Sequence, residues 1–178
     1  VALVTGFEYS TLDDILKLAK SKEESPFVVI LDGIEDTHNM GAIIRTAESA
    51  GVHGIVIPKR RSAMVNQTVY KASAGAVEHM LISNVTNISS TIEELKKQGL
   101  WVYGADMDGE EYYFSSSLKG PIALVIGNEG KGISRLVKEK CDVLIKIPMM
   151  GKVSSLNASA AASILIYEVV RQNYEDKK

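Results

Sequence analysis

The sequence predicts one α/β domain, a parallel sheet flanked by helices. Three observations predict it. Short runs of consecutive apolar residues recur along the chain, as strands buried on both faces require. Segments with helical spacing alternate with them, which is the pattern of βα units. The length of 178 residues, with 46% hydrophobic and 24% charged residues, suits one soluble domain able to bury a real core.

The elements follow in order. Residues 11–20 form a leading helix, and 27–31 (Phe-Val-Val-Ile-Leu) a buried strand. A helix over 39–50 has Thr37 or Asn39 as its N-cap, because either side-chain oxygen can accept an orphan backbone N–H. Its apolar face is Ile43, Ile44, Ala47 and Ala50, and Arg45 lies off that face. A strand over 54–57 precedes a helix over 66–73, and a strand over 79–82 precedes a helix over 90–98 stopped by Gly99. Strands follow at 101–105 and 122–126, then a short helix at 133–140 and a strand at 143–147. A helix from 157 to 173 closes the series, its first turns filled by Ala158, Ser159, Ala160, Ala161, Ala162 and Ser163. Small residues there imply that something approaches the helix closely.

Composition excludes several classes. No apolar run is long enough for a membrane span and no secretory leader is recognisable, so a cytoplasmic protein is expected. Cys141 is the single cysteine, and His38, His53 and His79 lack ligand spacing, so no metal site is expected. The net charge of −2 does not mark a nucleic-acid binder. The local exception is Lys59-Arg60-Arg61 after an apolar strand, which reads either as a solvated loop or as phosphate contacts.

In such sheets ligands bind beyond the carboxyl ends of the strands, so the strand-to-helix joints carry the chemistry. Three joints stand out. The first, 31–45, places Asn39, Gly41 and Arg45 around a helix start. The second is Gly127-Asn128-Glu129-Gly130-Lys131-Gly132-Ile133. It is glycine-rich, yet it is not a P-loop, because Gly132 rather than Ser or Thr follows Lys131, and it lacks the third glycine of the dinucleotide fingerprint. Glu129 at its centre repels phosphate and suits a neutral or cationic ligand. The third joint, 147–157, puts Ser154, Ser155 and Asn157 beside Gly151-Lys152, where a plain turn would do. Taken singly, each joint is equally a capped helix or a tight turn.

Together and in this order, N-x-G-x-x-x-R (Asn39, Gly41, Arg45), G-N-E-G-x-G-I (127–133) and I-P-M-x-G-x-V-x-S-L-N (147–157) resemble the SpoU, or TrmH-like, branch of the SPOUT RNA methyltransferases. The resemblance covers about residues 26–173. Within the branch the chain most resembles the bacterial enzymes that methylate a guanosine 2′-hydroxyl of large-subunit (23S) rRNA, with the tRNA guanosine enzymes as rivals.

The resemblance implies a C-terminal deep trefoil knot, which no periodicity could show. It implies S-adenosylmethionine held by Gly127, Ile147 and Leu156, with Met149 nearby and Asn128 in the same loop. It implies a catalytic group of Arg45, Asn39, Glu129, Ser155 and Asn157, with Arg60, Arg61 and Lys59 touching RNA. It further implies a homodimer and no metal. The nearest members carry an N-terminal RNA-binding domain, and the expectation is that this chain, opening on Val1 without a methionine, is the catalytic domain alone. Two readings from other classes compete with the enzyme: a non-catalytic RNA-binding module on a methyltransferase-like fold, and a nucleotide-binding oxidoreductase, against which the broken dinucleotide fingerprint argues.

Overall fold

A computed structural model describes residues 6–177. Seven strands form one sheet in the order β3-β2-β1-β6-β4-β7-β5, and every pairing in it is parallel. The elements are α1 (Leu12–Ser21), β1 (Phe27–Asp32), α2 (Thr37–Ser49), β2 (Gly54–Pro58), α3 (Gln67–Ala72), β3 (Leu81–Val85) and α4 (Ile88–Lys97). They continue with β4 (Trp101–Ala105), β5 (Glu111–Tyr112), β6 (Ile122–Gly127), α5 (Arg135–Lys140), β7 (Val143–Lys146) and α6 (Ala158–Asn173).

Side chains alternate along each central strand, so one strand feeds two cores. Val29, Leu31, Ile55, Ile57 and Leu124 pack towards α2 and α6. Val28, Ile30, Val56, Ala123 and Val125 pack with α1, α4 and Val137 of α5. Both faces are therefore dry, which explains the near-continuous apolar strands. Among the described residues no helix is long and apolar enough to cross a membrane.

The expected elements recur with shifted ends, α5 opening at Arg135 rather than 133, and three of the shifts have a clear cause. The N-cap of α2 is Asp36, not Thr37 or Asn39; its carboxylate accepts from the His38 and Asn39 amides at 2.7 and 3.0 Å. A carboxylate at that position satisfies two orphan donors and leaves the Asn39 side chain for other partners. Strand β3 runs later than 79–82, because residues 76–79 coil into a 3₁₀ turn and the register with β2 continues to Val85. Helix α4 starts at Ile88, two residues earlier than expected, on an Asn87 cap to Ser90 N–H.

Strand β5 lay outside the expectation, and its placement is unusual. Ala105 of β4 and Glu111 of β5 both pair with Ile145 of β7, from opposite sides. The short connection 106–110 therefore straddles the β7 backbone, and Asp106 N–H donates to Ile145 C=O at 2.9 Å. Gly109 makes this crossing: a Cβ there would lie 2.9 Å from the Ile145 carbonyl carbon and from the Leu144 oxygen. After Lys146 the chain leaves the sheet as an irregular joint and enters α6, which packs on α2.

Candidate active site

Strand order reverses between β1 and β6, whose following loops part company there; this is where open parallel sheets hold ligands. Two side chains hold the parted loops in place. Asp32, the last residue of β1, accepts from Ser134 N–H at 2.7 Å and so anchors the entry to α5. Asn128 accepts from Gly130 N–H (2.7 Å) and Lys131 N–H (3.2 Å), and its amide donates to Gly33 C=O at 3.3 Å. The loop closes on itself through Gly132 N–H to Asn128 C=O at 2.6 Å. Gly127 is required by space: a Cβ would sit 2.4–2.5 Å from the Gly132 and Ile133 backbone.

This loop walls a cavity of about 250 Å³. Its apolar lining is Ile126, Ile145, Ile147, Met149 and Leu156, and the first turns of α6 contribute Ala158 and Ala161. Larger residues there would fill the space, so the small residues of α6 serve the cavity as well as helix packing. From Pro148 to Leu156 no backbone–backbone hydrogen bond forms among the described residues. Met149, Ser155 and Leu156 in this stretch are half-buried and line the cavity, so their free peptide groups offer donors and acceptors to a polar ligand edge. The charged lining is balanced, with Asp106, Asp108 and Glu129 against Lys131, Lys138 and Lys146. Lys138 pairs with Asp106 at 2.8 Å, and that hydrogen bond raises the Lys138 pKa above the ordinary lysine value. The walls fit a ligand that is part apolar, part hydrogen-bonding and not anionic near Glu129.

Beside Glu129, two of the three motifs meet the third. Asn157 caps α6, its oxygen accepting from Ser159 and Ala160 N–H at 3.0 and 3.2 Å. Its amide donates to the Asn39 side-chain oxygen at 3.0 Å, and the Asn39 amide reaches Glu129 Oε1 at 3.5 Å. A chain Asn157–Asn39–Glu129 thus ties α6, α2 and the glycine-rich loop together. Further along the same helices Thr46 and Ser163 hydroxyls bond at 3.1 Å. Gly41 allows α2 to seat on α3, since a Cβ there would lie 2.3 Å from Ala72 Cβ.

The remaining sequence candidates divide. Gly127, Asn128, Glu129, Ile147, Met149, Ser155 and Leu156 line the cavity. Arg45 does not line it; it is exposed, further along α2, with no ion pair among the described residues. Arg60 and Arg61 border a different cleft together with Lys131, and Lys59 borders neither cavity. Sequence reading passed over Asp106, Met107, Asp108, Lys138 and Lys146, all in the lining. The signal was there in part: Asp106 follows a strand directly, at a joint of the kind that carries chemistry. Among the described residues no cluster of side chains could hold a metal ion.

Comparison with known proteins agrees with this architecture. The model of the SpoU rRNA methylase family matches residues 26–167. The chain belongs to that family. A Bacillus subtilis protein named for the TrmH family of tRNA/rRNA methyltransferases, YacO, is 56% identical over 172 residues, which are 97% of this chain and 69% of that one. The SpoU methyltransferase AviRb of Streptomyces viridochromogenes, solved with its cofactor AdoMet (S-adenosylmethionine), superposes with a TM-score of 0.84 at 28% identity, over 95% of this chain and 67% of AviRb. A structure described as an RNA 2′-O ribose methyltransferase gives a TM-score of 0.76 at 25% identity over 96% of this chain. The chain spans only 61% of the length of that structure. SpoU members thus share the sheet and its helices with this chain, and a SpoU structure holds S-adenosylmethionine.

Proposed function

We propose that the protein is an S-adenosylmethionine-dependent RNA 2′-O-ribose methyltransferase whose substrate is a guanosine of large-subunit rRNA. One observation carries the reading: the three sequence motifs converge on one place, two of them walling the cavity and the third reaching it through Asn39. The cofactor would be held by the backbone around Gly127, Ile147 and Leu156, with Met149 and the aliphatic wall against its apolar parts. Bound there, it would supply a methyl group on a positively charged sulfonium, a charge that Glu129 would favour.

The chain's own residues then have separable roles. Arg45 is free to grip a phosphate of the RNA and to stabilise the alkoxide that develops on the ribose oxygen. It does not act as a base, since guanidinium has a pKa above ~12 and keeps its protons. The hydroxyl proton leaves to phosphate or water. Asn39, Asn157 and Ser155 orient the ribose, and Glu129 holds Asn39.

Two structural proposals accompany this. The 106–110 connection straddling β7, with Gly109 against the Ile145 backbone, supports a chain threaded as a deep trefoil knot. The exposed Ile164 and Tyr167 on α6 support a homodimer packed through that helix.

Calorimetric titration with S-adenosylmethionine, with a nicotinamide dinucleotide as control, tests the cofactor. Tritiated methyl transfer to unmodified rRNA and tRNA transcripts, followed by alkaline hydrolysis, tests the rest, because a 2′-O-methyl group leaves an alkali-stable dinucleotide. Absence of cofactor binding by folded protein would leave a non-catalytic RNA-binding module. Stable label in tRNA alone would move the substrate to tRNA.

A further inference from the structure

A second concavity lies across the glycine-rich loop from the cofactor cavity. It measures about 610 Å³, inside the ~300–1,000 Å³ range of pockets that enclose a small ligand. Its floor is the carboxyl end of three adjacent strands: Asp32 ends β1, Pro58 ends β2, and Thr86 follows β3. Arg60, Arg61 and Lys131 supply positive charge around it. Two carboxylates also border it, Asp32 and Glu35, but Asp32 is already engaged by Ser134 N–H. Thr86, Asn87 and Ser89 add neutral polar groups, and Leu136, 63% exposed, gives the rim an apolar surface.

Backbone hydrogen bonds hold the turn that carries the two exposed arginines. Lys59 N–H donates to Val85 C=O at 2.9 Å and Ala63 N–H to Ile34 C=O at 2.8 Å, so the turn between them is pinned to both neighbouring loops. Within it Arg61 adopts φ +57°, a left-handed conformation that a non-glycine residue holds at a cost of order 1 kcal/mol or more.

We infer that this cleft binds one nucleotide of single-stranded RNA, flanking the residue that is methylated. The inference rests on the RNA-methyltransferase reading and adds to it a second subsite. Cations grip the phosphate, the Leu136 rim meets the base, and Thr86, Asn87 and Ser89 offer polar contacts to its edge. A duplex cannot present a base this way, because its bases are stacked inside. Asn128, Lys131 and Gly132 line both concavities, so one loop separates the flanking nucleotide from the cofactor.

The test is fluorescence anisotropy of the full chain with a labelled single-stranded RNA hexamer and with an RNA duplex, across a salt series. Wild type should prefer the single strand. Arg60→Ala should weaken it roughly tenfold and lower the log–log salt slope by about 0.7, the value of one lost phosphate contact on a single strand. Leu136→Ala should weaken binding with the slope unchanged. Calorimetry with S-adenosylmethionine on the same variants, at unchanged thermal midpoints, should return wild-type affinity. Equal or better binding of duplex, or single-strand binding untouched by both substitutions while the cofactor still binds, overturns the inference. Loss of cofactor binding by wild type would instead defeat the functional reading beneath it.

Discussion

Replacing Gly127 by alanine adds one methyl group at the most crowded point of the site. The added Cβ would lie 2.4 Å from the Gly132 carbonyl carbon and 2.5 Å from the Gly132 oxygen and the Ile133 nitrogen. Ordinary contacts of this kind are about 1 Å longer, and all three atoms are backbone, so no side chain can swing away to relieve them. The 128–132 loop must therefore move outward by that distance. Overpacking of this size costs about 1–3 kcal/mol. The functional loss should be larger, because a ~1 Å displacement of groups that position a reaction can cost ~100-fold. Gly151→Ala is the matched control: nothing lies within 4 Å of its Cβ, and its backbone is not left-handed. Urea denaturation should lower the midpoint for Gly127→Ala and leave Gly151→Ala at or slightly above wild type. Calorimetry should show at least a tenfold loss of S-adenosylmethionine affinity in the first variant alone. If the two variants prove indistinguishable in both measurements, the cavity assigned to the cofactor is the wrong one.

Arg45→Ala should lower kcat/KM for RNA methylation by about 100-fold or more while cofactor affinity stays at the wild-type value, and Arg45→Lys should recover only part of it, since a point charge lacks the bidentate fork. The Cys141 thiol is pushed up to about 12 by burial first and by the nearby Asp142 charge second, so iodoacetamide at pH 8 should leave it unmodified until urea unfolds the chain. The Arg171 guanidinium hydrogen-bonded to Glu168 holds that carboxyl below the ordinary glutamate range, against burial, which raises it. With the folded value below the unfolded one, the bond's stabilisation is present above the unfolded pKa of about 4.5 and fades as pH falls through the folded value. Denaturation midpoints of wild type and Glu168→Gln should accordingly converge on acidification; a constant gap between pH 7 and pH 3 would contradict the assignment.

The sheet and most helices were legible because their signals are local. A run such as Val28-Val29-Ile30-Leu31 reads as a strand buried on both faces, and Asn157 before a string of alanines reads as a helix cap. The α2 cap was misread because Asp36, Thr37 and Asn39 are all competent cap residues and only the backbone path selects one. Strand β5 carries two residues, Glu111 and Tyr112, both exposed, and no hydrophobic period exists at that length. The cavity residues that went unread, Asp106 and Lys138, are ordinary surface types until an ion pair places them in one wall.

By itself the sequence determined an alternating α/β chain and singled out three strand-to-helix joints as candidate site segments, because these follow from residue type and short-range spacing. Only the tertiary structure decided that Asn39 and Asn157, 118 positions apart, share a hydrogen bond, and that the 106–110 connection crosses over β7. It also decided that Arg60 and Arg61 face a cleft separate from the one lined by Glu129. Such contacts depend on strand order and on which loops part at the sheet's reversal, and no local pattern encodes strand order.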